Sequence, residues 1–227
     1  LAFLGCRSED EAGEKQDSSL EPIAAYDSLD YVDPFIATGG IGAEIASVSP
    51  GATRPFGMTY VGPDTRADYG APGFYHCAGY HWEDTYISSF SHTHALGMGV
   101  TDYGGIAVMP QLGWQATFSE DKGRQLAFSH AEEWAEAGSY GVRFEEPGIE
   151  VAIAASRRGA HHVYTFESGE PTLIVDLGHA LGEDSVAESW ITVDGSSGEI
   201  TGFQNLKGSY SQRFGGLKTW FYGTADP

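Results

Sequence analysis

From about residue 57 onward the chain is a succession of short runs in which apolar and polar positions alternate with a period of two. Ile149, Val151 and Ile153 share one face while Glu150 and Ala152 take the other. Leu217, Thr219 and Phe221 alternate in the same way with Lys218, Trp220 and Tyr222. This period marks a strand, because successive side chains point to opposite sides of a pleated backbone. Further runs at 105–109, 114–118, 140–144, 162–166, 172–177, 190–193 and 199–203, bounded by Gly, Pro, Asp and Ser, predict more strands. Asp194-Gly195 between two of them predicts a tight turn. Only 131–137 (AEEWAEA) has a helix-forming composition, and it is too short to be a major element. Many short strands without alternating helices predict an all-β fold, a large antiparallel β-sandwich. The segment 30–102 departs from this pattern, being loop-rich and dense in Gly, Pro, aromatic residues and His.

Composition agrees with a β fold and narrows the partners. Glycine contributes 31 of 227 residues and aromatic residues 13%, which suits many turns and ligand-facing loops. The formal net charge of −20 disfavours nucleic acid and any anionic membrane surface held by basic residues. Charged residues are only 19% of the chain, which argues against wholesale disorder. There is no apolar stretch of 18 residues or more.

The first residues are distinctive. Leu1-Ala2-Phe3-Leu4-Gly5-Cys6 looks like the tail of a bacterial lipoprotein signal peptide, with Cys6 as the lipidated position, and 1–6 is read as its remnant. Residues 7–30 carry eight acids against two bases and read as a solvated acidic tether that holds a domain off the membrane. These features place the protein at a bacterial cell envelope, touching membrane only through its lipid anchor. Cys77 is then left as a buried small hydrophobe.

The candidate chemistry lies within 74–104. His76, His81, His92 and His94, of eight His in the chain, fall close together there. If extended, His92-Thr93-His94 projects both imidazoles from one strand face. The pair could share a metal with Asp84 or Asp102, or could bond carboxylates and shape a pocket wall. Trp82, Tyr80, Tyr75 and Tyr86 beside Glu83 and Asp84 could stack on sugar C–H faces and bind vicinal hydroxyls, or could be core. Glu83 and Asp84 cannot flank one glycosidic bond, since adjacent strand residues face opposite ways. Dinucleotide, nucleophile-elbow, metalloprotease and phosphate-loop motifs are absent from the sequence.

Several ordered motifs carry a resemblance. Val32-Asp33-Pro34-Phe35-Ile36-Ala37-Thr38-Gly39-Gly40, Pro50-Gly51-Ala52-Thr53-Arg54-Pro55-Phe56-Gly57-Met58, Pro63-Asp64-Thr65, Gly79-Tyr80-His81, Phe90-Ser91-His92-Thr93-His94 and Asp102-Tyr103-Gly104 follow one another along the chain. Together they resemble the opening region of glycoside hydrolase family 92 α-mannosidases, over about residues 31–227. Asp33, Ala37, Ala95-Leu96 and Gly105 depart from the family's usual residues. The resemblance implies that 31–227 is the N-terminal β-sandwich of a two-domain enzyme whose C-terminal helical barrel is missing from this chain. It also implies a calcium-dependent, inverting, exo-acting α-mannosidase acting on mannose-containing glycans. The general acid and base, and most ligands of Ca2+, would lie beyond residue 227 in that helical domain, the sandwich's expected partner. The sandwich alone would be inactive and would line the substrate cleft through Trp82, Asp84, His92, His94 and Asp102. Two other readings are a free-standing carbohydrate-binding module and a metal hydrolase built on His92 and His94.

Overall fold

The computed structural model describes residues 28–40, 47–66 and 76–226. The Cys6 anchor, residues 7–27 of the acidic tether and Tyr75 lie outside the described residues. Ser28–Tyr31 is a single 3-10 turn, and the chain from Val32 onward forms one unit.

That unit is built from strands β1 (Ala52–Thr53), β2 (Tyr60–Arg66), β3 (Tyr86–His92), β4 (Gly105–Leu112), β5 (Leu126–Ala127), β6 (Glu133–Glu136), β7 (Ser139–Phe144), β8 (Ile149–Ala155), β9 (Ala160–Phe166), β10 (Pro171–Asp176), β11 (Ser185–Asp194), β12 (Glu199–Lys207) and β13 (Leu217–Thr224). Every strand pairing is antiparallel. The first sheet runs β1-β2-β3-β4-β10 with β5 on β3; the second is the meander β6 to β9, and the third the meander β11 to β13.

The core lies between the first two sheets. Ala52, Val61, Ile87, Phe90 and Met109 from the first meet Tyr140, Val142, Phe144, Ile149, Val151 and Ile153 from the second. The alternation predicted for β8 explains this packing. Ile149, Val151 and Ile153 stand opposite Phe144, Val142 and Tyr140 on β7, and opposite Phe166, Tyr164 and His162 on β9. Each fully buried aliphatic side chain contributes about 1.5–3 kcal/mol, so truncating Ile153 to Ala costs about 2–5 kcal/mol once the cavity is counted. The chain is thus an antiparallel β-sandwich.

The third sheet is tethered differently. The Gln204 side-chain amide on β12 donates to the carbonyls of Leu177 and His179 at 3.0 and 3.2 Å. Along β13, Lys218, Trp220 and Tyr222 are exposed while Leu217, Thr219 and Phe221 are half-buried, as the alternation predicts.

The structure corrects four local expectations. Residues 114–118 do not form a strand; Ala116–Ser119 is a 3-10 turn, followed by a four-residue α-helix at Asp121–Arg124. Phe118 is the apolar residue buried by that turn, and the Ser119 hydroxyl donates to the Ala116 carbonyl. Residues 131–137 are not helical, because Glu133–Glu136 pairs with β7. Trp134 lies opposite Gly141, where any larger side chain would strike its ring, so cross-strand packing overrides helix propensity. The 30–102 segment contributes β1, β2 and β3, the last two central to the first sheet. Asp194-Gly195 does not make a two-residue turn: four residues separate β11 from β12, and Gly198 takes the left-handed conformation at φ 72°. Among the described residues no helix is long and apolar enough to cross a membrane.

Candidate functional site

Two clusters form where the motif-bearing segment meets the sandwich. One is sealed. Asp64 on β2 is buried, and its Oδ2 accepts from the Ser89 hydroxyl at 2.8 Å while its Oδ1 accepts from the Ser91 hydroxyl at 3.1 Å. His94 Nε2 lies 3.2 Å from Oδ1 and 2.5 Å from the Ser91 oxygen. His179 Nε2 lies 3.1 Å from Oδ2, close enough for an ion pair although out of hydrogen-bond alignment. Burial pushes the Asp64 carboxyl up, but His179, and then His94, outweigh it and hold the group far below the usual carboxylate range. Burial likewise opposes charge on His179, and Asp64 more than offsets it, so that imidazole is raised. Serine, histidine and aspartate here have the composition of a nucleophilic triad. However, the same His94 nitrogen faces both Ser91 and Asp64, so no proton can be relayed through the ring, and the serine is fully buried. The cluster is scaffolding. Gly79 completes it: at φ 85° it passes so close that a Cβ would meet Asp64 Oδ1 and sit 2.8 Å from His94 Cε1.

His92 and His94 do not share a face. Thr93, at φ 62°, turns the backbone at the end of β3 and sends the two rings to different partners. His92 Nδ1 donates to the Ile106 carbonyl at 2.6 Å, leaving Nε2 as acceptor 3.2 Å from His162 Nε2. The Tyr164 hydroxyl donates to His162 Nδ1 at 2.9 Å, leaving the His162 Nε2 proton to face His92. This chain bridges the two sheets with both rings neutral. Burial lowers His92 despite the Ile106 bond, and burial, then His92 and His161, lower His162 to about 3.

Of the other nominated residues, Asp84 is buried with Oδ2 2.5 Å from His76 Nε2. Asp102 is buried too and accepts the backbone N–H groups of Tyr210 at 3.0 Å and Ser211 at 2.5 Å. Burial opposes its charge, yet those backbone donors, Ser211 first, bring its carboxyl below the ordinary value. Gly208 is required beside it, since a Cβ there would lie 2.5 Å from Asp102 Oδ1 and 2.6 Å from Asp184 Oδ2. Only Trp82, 38% exposed, faces solvent.

Trp82 is the centre of the second cluster. Its indole stands edge-on to Phe35, with centroids 5.4 Å apart, and lies flat on His130 at 3.8 Å and 7°. The 33–40 loop is latched beneath it. The Trp82 N–H donates to the Thr38 carbonyl at 3.0 Å, and the Gly40 N–H to Glu83 Oε1 at 3.2 Å. His81 links the Gly40 carbonyl at 3.0 Å to Glu83 Oε2 at 2.9 Å. An exposed aromatic face on a pinned loop can stack on a sugar ring, and the adjacent Glu83 carboxylate can accept hydroxyl protons. Sequence reasoning did not nominate Phe35, Asp64, His130, Glu133 or His179. Phe35 and Asp64 lie inside the ordered motifs, whereas His130 and His179 reach their partners only through folding.

A hollow of about 340 Å³ on the outer side of His179 is lined also by Ser119, Asp121, Asp176 and Asp184, without an aromatic platform. Asp121, Asp176 and His179 bring donor atoms within 4.8 Å of one another there. This set does not fit calcium, which takes six to eight oxygens. One donor is an imidazole, and the Arg124 guanidinium already bridges the Asp121 and Asp176 carboxylates.

Comparison with known proteins accords with this geometry. The structure is similar to a family GH92 α-mannosidase of Bacteroides thetaiotaomicron solved alone and in complex with mannoimidazole, at 27% identity and TM-score 0.71, covering 86% of this chain and about a quarter of that one. It also shares its fold with a family GH92 inverting mannosidase of the same organism, at 24% identity and TM-score 0.60, over 78% of this chain and 24% of that one. The chain therefore spans about a quarter of the length of these solved relatives. No curated protein matches it. The model for the glycosyl hydrolase family 92 N-terminal domain matches residues 31–226, and the chain belongs to that family.

Proposed function

We propose that this domain forms one wall of the substrate cleft of a secreted, inverting, calcium-dependent α-mannosidase, anchored at the cell envelope through Cys6, with Trp82 as the platform for a terminal mannose. The observation that carries the reading is the exposed Trp82 indole, in ring contact with Phe35 and His130 on a segment bonded to Thr38 and Gly40. Inversion needs an acid and a base carboxyl about 6.5–9.5 Å apart with a water between them. Asp64, Asp84 and Asp102 are buried and already bonded, so the reading assigns the acid, the base and the calcium site to protein outside 31–227.

The test is hydrolysis of an aryl α-mannoside by the full-length protein, followed by proton NMR of the first mannose released. The expected outcome is β-mannose, loss of turnover with a calcium chelator, and no turnover by residues 31–227 alone. α-Mannose as first product, or turnover by 31–227 alone, overturns the reading. Glycan binding without any hydrolysis by the full-length protein would identify a carbohydrate-binding module instead.

A further inference from the structure

One side chain holds both the backbone and the ring of Trp82. His130, in the 3-10 turn at His130–Glu132, stacks its imidazole on the indole at 3.8 Å and points Nε2 at the Trp82 carbonyl, 2.6 Å away. Its Nδ1 lies 2.7 Å from Glu133 Oε2. A carbonyl and a carboxylate both accept, so the ring has an acceptor at each of its two nitrogens. The Glu133 side chain has no exposed surface, and its oxygens also accept from Tyr80 at 3.0 Å and Tyr140 at 2.7 Å. Burial, and then the Glu133 charge, push both phenols up, so they stay donors. Phe128 stands edge-on to the imidazole at 5.2 Å and closes another side. The imidazole thus has a buried carboxylate behind it and an aromatic face in front, an arrangement that holds the indole plane still.

We propose that His130, backed by Glu133, is a positioning residue that sets the plane of Trp82 to receive the C–H face of a hexose ring on its opposite side. The inference rests on the reading of Trp82 as the sugar platform. His130 covers one face of the indole, the Phe35 ring stands nearly perpendicular to it, and Trp82 keeps 38% of its surface exposed. Losing the clamp lets the platform swing, so the cost falls on binding rather than on the bond-breaking step.

The test uses the full-length protein with an aryl α-mannoside and three variants, Trp82→Ala, His130→Gln and His130→Phe. His130→Gln removes the flat stacked ring and should raise KM about tenfold while kcat stays within about twofold. His130→Phe keeps the stack and loses both hydrogen bonds, so KM should rise about threefold. The Trp82 emission, taken as the difference between each protein and its Trp82→Phe counterpart, should brighten in both His130 variants, because the stacked imidazole that quenches the indole is gone. Circular dichroism accompanies each variant, and where His130→Gln loses the sheet signature His130→Phe carries the test. An unmoved KM in the His130 variants while Trp82→Ala raises it, or an emission that stays quenched, overturns the proposal. If Trp82→Ala leaves KM unchanged, the platform reading fails, and the emission alone then decides whether His130 holds Trp82.

Discussion

Around Asp64, two imidazoles and two serine hydroxyls converge on one carboxylate with no side left to solvent. Around Trp82, imidazoles and carboxylates surround an indole that stays open. The residue types are the same and the neighbouring motifs supply both clusters. What separates them is depth. At Asp64 the polar groups satisfy one another between strands, so their interaction is strong and removing one partner is costly. At Trp82 they latch a loop, and the apolar face they hold is left for something else to cover. A cluster of His, Asp and Ser is therefore a poor guide to catalysis until its access to solvent is known.

The sharpest way to break this contrast is Asp64→Ala. It leaves His179 and His94 buried without their counter-charge and should cost about 3–5 kcal/mol in denaturant unfolding. A loss below about 1 kcal/mol would mean the interior cluster is not a structural knot. Gly79→Ala comes next: the left-handed backbone and the Cβ clash with Asp64 and His94 together should cost about 2 kcal/mol. An unchanged midpoint would show that the crossing beside Asp64 has slack.

Acid probes the neutral His92–His162 bridge. His162 has a folded-state pKa of about 3 against an unfolded value of 6.5, so its contribution is fully present above pH 6.5. That contribution is lost as pH falls from 6.5 toward 3, at about 1 kcal/mol per pH unit. Asp64, held far lower in the folded protein, adds its own loss only as pH nears its unfolded value of 3.8, so the slope between pH 6.5 and about 4.5 reports His162. His162→Phe should flatten the slope; an equally steep acid loss in that variant places the titrating group elsewhere. The smallest effect belongs to the open cluster. Trp82→Ala should cost only about 1 kcal/mol of stability while weakening sugar binding, and a loss comparable with Asp64→Ala would erase the distinction between the two clusters.

The strands were legible where one face is buried and the other wet, as in β8 and β13, because burial imposes the period of two. They were not legible at 114–118, where burying a single phenylalanine selects a 3-10 turn, nor at 131–137, where Trp134 needs Gly141 opposite it on β7. Trp82 was nominated for sugar binding from the aromatic and acidic residues beside it, with core packing as the alternative, and the structure leaves it 38% exposed. His130 was not, since 48 residues separate it from the indole it stacks on. The H-T-H spacing misled for a local reason: Thr93 adopts a left-handed backbone, and one such residue reverses which way its neighbours face.

Alternation, glycine content and the ordered motifs by themselves determined an all-β sandwich and its family, because strand periodicity and motif order are written along the chain. Which histidines are buried, what each one bonds and which are open to solvent was decided only by tertiary structure. Burial and hydrogen-bond partners set those states, and for His94, His130, His162 and His179 they include residues far away in the sequence.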